Sequence, residues 1–339
     1  MTALHDAAAA YHGTRVLITG GLGFVGSSLA RVLVEAGADV LLVDSMIPEY
    51  GGHLANVEGI EDHVEINISD VRDRHSLAYL VRGRDVIFNL AGQTSHLDSM
   101  TDPFADLEIN ARSQLSILEA CRHHNPDVKI VFASTRQIYG RPRYLPVDED
   151  HPITPVDVNG INKTAGEWFH LLYGDVYGMR VAVLRMTNTY GPRMRVRDAR
   201  QTFLGYWFRL ILSGEELAIF GDGAQRRDLN YVDDALRAFL LVGATDEANG
   251  RVYNLGDSEV VSLKELADLL VRANGGGSYR LVPFPPDRKA IDIGDYYADF
   301  TRIKEELGWE PQVGLEQGLR RSLEFYREHG EQYWGDVVP

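Results

Sequence analysis

Thr19-Gly20-Gly21-Leu22-Gly23-Phe24-Val25-Gly26 joins a strand pattern to a helix pattern through closely spaced glycines, and that junction sets the fold class. Residues 15–19 read as a short buried strand, and Val25, Leu29, Val32 and Leu33 fall on one helical face. Gly20 permits a tight turn, Gly23 lets backbone N–H groups approach a pyrophosphate, and Gly26 allows close helix–strand contact. The helix N-terminus favours the anion. Asp44 ends the second apolar strand, residues 38–43. A carboxylate there accepts hydrogen bonds from a ribose 2′-OH and repels a 2′-phosphate, which favours NAD over NADP.

The chain has 339 residues, enough for a sizeable core in one large or two moderate domains. Its formal net charge of −15 argues against a general nucleic-acid or anionic-membrane surface, so a phosphate ligand needs local arginines, helix ends and loops. Cys121 is the only cysteine, which excludes an intrachain disulfide and fits a reducing cytoplasm. No apolar run approaches bilayer-spanning length, and residues 1–13 lack a signal-peptide pattern. That segment is expected to be a mobile tail.

Strand patterns near residues 64–66, 85–89, 129–133 and 180–185 alternate with helical ones, the longest at 102–124 and 157–177. The expectation is an α/β protein: a Rossmann-type doubly wound parallel sheet with a smaller interwoven α/β substrate domain. Residues 14–189 plus 229–256 are assigned to the NAD-binding domain, and 190–228 plus 257–330 to the substrate domain. Ligand chemistry in such sheets gathers at strand C-termini. There the chain carries Gly20-Gly21, Asp44, Asp70-Val71, Ala91-Gly92-Gln93-Thr94 and Ser134-Thr135 in turn.

These segments, together with Asn89-Leu90-Ala91-Gly92, Tyr139-Gly140, Asn188-Thr189-Tyr190-Gly191-Pro192, Arg227-Asp228, Val232-Asp233-Asp234 and Leu307-Gly308-Trp309, resemble the extended short-chain dehydrogenase/reductase family. The likeness covers residues 14–330 and is to nucleotide-sugar epimerases of the UDP-glucose 4-epimerase type. It implies NAD as cofactor, held by Gly20, Gly23, Phe24, Val25, Gly26, Asp44, Asp70, Val71, Leu90, Ala91, Gly92 and Gln93, with Lys163 on the nicotinamide ribose. It further implies a nucleotide-diphosphate sugar gripped by Asn188, Arg227 and Arg288, and a homodimer formed through the two longest helices. No metal, nucleic-acid or membrane partner is implied.

The departure lies in the catalytic Tyr-x-x-x-Lys motif, which here reads Asn159-Gly160-Ile161-Asn162-Lys163. An amide cannot titrate near neutral pH, and loss of a positioned acid/base removes about 10² to 10⁴ in rate. His96 ranks first as replacement, since an imidazole can serve as base and acid in turn. Thr135 corresponds to the family's catalytic Ser/Thr, Lys163 could act if desolvated, and Tyr190 could reach the sugar. Asn159 would hold the sugar or a water. Family dehydratases carry Asp-Glu after the threonine, and decarboxylases a Glu two positions on; this chain has Arg136 and Gln137, which disfavours both usual routes. Arg136 is suited to a carboxylate or phosphate, Gln137 to hydrogen bonding.

The segment Gln201-Thr202-Phe203-Leu204-Gly205-Tyr206-Trp207-Phe208 is similar to the corresponding helix of CDP-sugar 2-epimerases, which borders the substrate. Arg193, Arg195, Arg197 and Arg200 precede it, and read as a diphosphate or acidic-sugar grip, with Gln93, His96, Thr135 and Gln201 as further substrate contacts. The leading expectation is an NAD-dependent nucleotide-sugar epimerase acting at carbon 4. A 2-epimerase or oxidoreductase is the alternative within enzymes, and a catalytically impaired NAD- and nucleotide-sugar-binding paralogue the alternative outside them.

Overall fold

The computed structural model describes residues 2–334. Its strands are β1 (Arg15–Thr19), β2 (Asp39–Asp44), β3 (Val64–Ile68), β4 (Val86–Asn89), β5 (Lys129–Thr135), β6 (Arg180–Met186), β7 (Asn188–Tyr190), β8 (Leu217–Phe220), β9 (Arg226–Tyr231), β10 (Val252–Asn254), β11 (Val260–Ser262) and β12 (Tyr279–Val282). The helices are α1 (Thr2–Ala8), α2 (Phe24–Glu35), α3 (Arg74–Leu80), α4 (His96–Thr101), α5 (Pro103–Leu107), α6 (Ser113–His124), α7 (Val158–Tyr177), α8 (Phe203–Leu212), α9 (Val232–Ala244), α10 (Leu263–Asn274), α11 (Pro286–Ala290), α12 (Thr301–Leu307) and α13 (Leu315–Trp334). A π-helical turn, Glu108–Arg112, joins α5 to α6.

Seven strands form one parallel sheet in the order β10-β6-β5-β4-β1-β2-β3. The chain winds outward in both directions from β1, so the switch point, where ligands bind in open α/β sheets, lies between β1 and β4. Both faces are covered, which is why the strands are continuously apolar. Side chains alternate: Val16, Ile18, Leu42 and Phe88 join the core containing residues of α2 and α9, while Leu17, Leu41, Ile87 and Ile130 join that of α3 and α6. The doubly wound sheet expected from sequence is present.

The remaining strands make two small sheets, β11-β9-β7 and β12-β8. The last helix, α13, packs on α8, α10 and β9. Its Tyr326 hydroxyl donates to the carbonyls of Gly191 and Met194 at 3.2 and 2.8 Å, and Tyr333 reaches Asn56 at 2.8 Å.

The expectation of a mobile tail is corrected. Within residues 1–13, α1 packs on α9, Ala8 and Tyr11 are buried, and the Tyr11 hydroxyl donates to the Leu240 carbonyl at 2.7 Å. Of the four consecutive alanines, residues 7–10, only Ala8 is buried, while Ala9 and Ala10 face solvent. Among the described residues, no helix is long and apolar enough to cross a membrane.

Candidate active site

A cavity of ≈ 630 Å³ opens at the C-terminal ends of the sheet strands and runs from the glycine loop to the small sheets. At the loop, Gly20 has φ +68°, and a Cβ on Gly26 would lie 2.2 Å from the Gly20 carbonyl oxygen, so the close turn depends on both glycines. Helix α2 begins at Gly23 without a side-chain cap, leaving its first N–H groups for a ligand. Asp44 lines the cavity and accepts from the N–H groups of Leu22 and Met46 at 3.0 and 2.9 Å. Burial raises its carboxyl pKa against those donors. Asp70, Val71, Leu90, Ala91 and Gly92 line the same wall, with Asp70 tied to Arg72. A small-residue turn, an uncapped helix end and an acid closing β2 fit an NAD dinucleotide.

In the middle of the cavity stand Thr135, Asn159, Lys163 and His96. Thr135 ends β5, and its Oγ1 accepts from the Gln137 N–H at 3.2 Å, leaving the hydroxyl proton to donate. Lys163 Nζ donates to the Ala133 carbonyl at 2.9 Å and sits over the Phe132 ring. Burial pulls its pKa down to about 8, with Asp106 opposing.

Asn159 and Lys163 lie one turn apart on α7, but the Asn159 amide is turned into the protein. Its Nδ2 donates to the Gln93 carbonyl at 2.8 Å and to Asp106 Oδ2 at 3.1 Å. Asp106 is fully buried and also accepts from Asn110 and Asn162 at 3.0 and 2.8 Å. The amide donor is therefore committed to a buried carboxylate, and only Asn159 Oδ1 is left to meet a ligand.

His96 opens α4 and lines the cavity with its side chain 33% exposed. Its Nδ1 lies 2.9 Å from Asp157 Oδ2, an ion-pair distance without the alignment of a full hydrogen bond. Asp157 caps α7 by accepting from the Gly160 N–H at 2.7 Å, and also accepts from Gln137 Nε2 at 2.8 Å. Sequence reasoning missed Asp157 and Asp106; the one available signal was Asp157 standing at the N-cap three residues before Gly160.

Beyond these residues, Arg136, Asn188, Gln201, Arg227 and Arg288 line the far part of the cavity. Arg136 Nη2 donates to Asn188 Oδ1 at 2.9 Å, while Nη1 is buried without a hydrogen-bond partner. Burial lowers the pKa of Arg227 to about 10, with Arg136 adding to the effect and Asp292, 4.0 Å away, opposing it. Arg288 lies over the Phe220 ring, which pairs with Phe284. Phe203, Tyr206 and Trp207 of α8 line the cavity, whereas Phe208 turns into the core against Tyr326.

Several expected site residues stand elsewhere. Gln93 is buried behind the cavity wall, donating to the Ser95 carbonyl at 2.8 Å, because the turn after β4 points it towards Asn159. Gln137 does line the cavity, with its amide directed at Asp157. Arg193 adopts φ +69°, which turns its side chain onto Ser28 and Phe325, away from the cavity. Arg195 is paired with Asp198 and Arg197 points outward, so only Arg200 of the four loop arginines lines the cavity. Tyr190 is buried and donates to the Leu315 carbonyl, a structural position.

The model of the NAD dependent epimerase/dehydratase family matches residues 16–256. A putative UDP-glucose 4-epimerase of Methanocaldococcus jannaschii is 33% identical over 319 residues, covering 93% of this chain and 99% of that protein. A dTDP-glucose 4,6-dehydratase of Streptomyces griseus is 31% identical over 334 residues, covering 96% and 98%. Among solved structures, the UDP-glucose 4-epimerase of Thermus thermophilus in complex with NAD superposes with a TM-score of 0.83 at 29% identity, covering 93% of this chain and 99% of that one. On the match over residues 16–256 and these near full-length likenesses, the chain belongs to the NAD-dependent epimerase/dehydratase family.

Proposed function

We propose that this enzyme is a nucleotide-sugar epimerase that oxidises a ring carbinol, at carbon 4, to a transient ketone and reduces it again from the opposite face. The observation that carries this reading is the single cavity: a dinucleotide turn at one end, Arg227 and Arg288 at the other, and Thr135, Lys163 and His96 between them. Bound NAD supplies a reversible hydride acceptor, so no cofactor is consumed over a cycle. The glycine loop and the α2 N-terminus hold its pyrophosphate, Asp44 a ribose, and Lys163 the nicotinamide ribose. Arg227 and Arg288 bind the sugar donor's diphosphate, and Phe220 and Phe284 offer an aromatic slot for its base. Arg136 receives a further phosphate or carboxylate oxygen on its unpartnered Nη1. Thr135 donates to the reacting hydroxyl, and His96 or Lys163 moves its proton.

Relatives of this chain include both 4-epimerases and 4,6-dehydratases. Arg136 and Gln137 support the epimerase reading, since neither a guanidinium nor an amide can protonate a departing hydroxyl. The aromatic wall of α8 favours a 2-epimerase as the second reading. Incubation with NDP-sugars, followed by anomeric proton NMR and by nicotinamide absorbance, separates the cases. Interconversion of C4 epimers without lasting reduction is expected; stoichiometric accumulation of reduced nicotinamide would overturn the assignment.

We further infer a homodimer. Phe104, Leu107, Ile161, Trp168, Leu172 and Val176 are exposed on α5 and α7, which pack together, and so form an apolar face that a second copy would cover.

A further inference from the structure

His96 and Lys163 are both candidates for proton transfer, but their surroundings differ. Lys163 Nζ is already bonded to the Ala133 carbonyl. His96 instead has one ring nitrogen 2.9 Å from a carboxylate whose side chain is 0% exposed, while the ring itself lines the cavity. That carboxylate is immobilised from two sides, by the Gly160 N–H on one oxygen and Gln137 Nε2 on the other. Burial works to raise the Asp157 pKa, yet the contact with His96 and the N–H donors hold it below the usual carboxylate range. The nearby charged side chains are engaged elsewhere: Asp98 with Arg200, Asp106 with three amides, Arg136 with Asn188, Lys163 with the Ala133 carbonyl and Glu167 with Arg185.

We propose that His96 and Asp157 form an acid–base dyad that replaces the missing tyrosine, with His96 catalytic and Asp157 and Gln137 as positioning residues. Asp157 selects the tautomer protonated at Nδ1, which leaves the Nε2 lone pair for the cavity. The hydroxyl proton of the carbinol passes to Nε2. The electron pair of the broken O–H bond becomes the second bond of the carbonyl, as the C–H pair leaves as hydride to the acceptor named above. The imidazolium, stabilised by Asp157, returns the proton when hydride comes back. The proposal rests on the epimerase reading for the reaction, but not for the tautomer. At 2.9 Å the contact between Nδ1 and Asp157 already has hydrogen-bond length, and a rotation of the ring alone would align it.

The test uses the full-length protein labelled with ¹⁵N in its histidines, with the His96 ring assigned by its absence in His96→Gln. The expected wild-type spectrum shows the Nδ1–H tautomer. In Asp157→Asn, which retains a good helix cap, the amide presents a donor to Nδ1 and the spectrum shifts to the Nε2–H tautomer. His96→Gln and Asp157→Asn should each lower kcat by about 10² to 10⁴ with KM within about threefold, and Gln137→Leu by less. Added imidazole should recover part of the activity of His96→Gly but none of that of Asp157→Asn. An unchanged tautomer in Asp157→Asn overturns the dyad, as does a His96→Gln enzyme with wild-type kcat. If no sugar nucleotide is turned over, the epimerase reading fails, and the tautomer measurement still decides the dyad.

Discussion

Asn159→Tyr would recreate the Tyr-x-x-x-Lys spacing with Lys163, and the structure indicates that it lowers stability without raising turnover. The lost amide donates to Asp106 Oδ2 at 3.1 Å and to the Gln93 carbonyl at 2.8 Å. Gln93 keeps a second donor, Asn110 at 2.8 Å. Asp106 keeps Asn110 on the same oxygen and Asn162 on the other, but its charged carboxylate is fully buried and loses one of its three donors. One hydrogen bond to a buried charge contributes about 1.5–3 kcal/mol. An unfolding entropy of about 2.1 cal/mol/K per residue amounts, over 339 residues, to roughly 0.7 kcal/mol/K. The melting midpoint should therefore fall by about 2–4 °C. Asn159→Ala removes the same donor without adding a ring and should show the same fall. Differential scanning calorimetry measures the midpoint, and anomeric proton NMR measures turnover. Because the proton relay is assigned to His96, turnover in Asn159→Tyr should stay at or below that of the wild type. A tenfold rise in turnover with an unchanged midpoint would refute both the Asp106 argument and the relocated relay.

Four other outcomes are open to measurement. Glu167 and Arg185 form an ion pair at 2.5 Å behind Thr135, with side chains 0% and 5% exposed; Glu167→Ala leaves an unpaired buried cation and should cost about 3–5 kcal/mol, read by chemical denaturation. Burial raises the Asp257 pKa to about 7, so the folded protein binds a proton there that the unfolded chain has lost. Stability from this group is present below the ordinary carboxylate pKa and declines as pH rises towards about 7; Asp257→Asn should raise the melting midpoint at pH 8 and leave it unchanged at pH 4. Gly26→Ala drives a Cβ to 2.2 Å from the Gly20 carbonyl oxygen and should weaken NAD binding by at least about tenfold, measured by calorimetric titration. Trp168→Glu puts a charge on the exposed apolar face of α7 and should shift the mass seen by light scattering from dimer to monomer; a dimer that persists removes that face from the assembly.

The cofactor half of the molecule was legible because its signals are local. A strand, a glycine turn and a helix lie within 21 consecutive residues, 15–35, and the acid at the end of β2 follows nine residues later. The proton-transfer half was legible only in its single residues: His96 stood out as a titratable group, but not the carboxylate beside it. His96 and Asp157 are 61 positions apart and meet only because α4 packs on α7. Asp106 carries no local signal, since only the packing of α5 on α7 encloses it. The loop arginines show the converse error. A run of like charges suggests one ligand, but a positive φ at Arg193 and the pairing of Arg195 with Asp198 send them in different directions.

The hold of α13 on the loop after β7 has a temporal consequence. The loop from Gly191 to Met194 is fixed by Tyr326, and the aromatic stack under Phe208 is completed by the same side chain. A chain emerging from the ribosome with its amino end first can assemble the seven-stranded sheet as soon as β10 has been made. The contact of Phe208 with Tyr326, which completes the packing of α8 and of one wall of the cavity, waits until more than 70 further residues have emerged. In that order of synthesis the dinucleotide end of the cavity is complete before the aromatic wall of α8 gains its last support from α13.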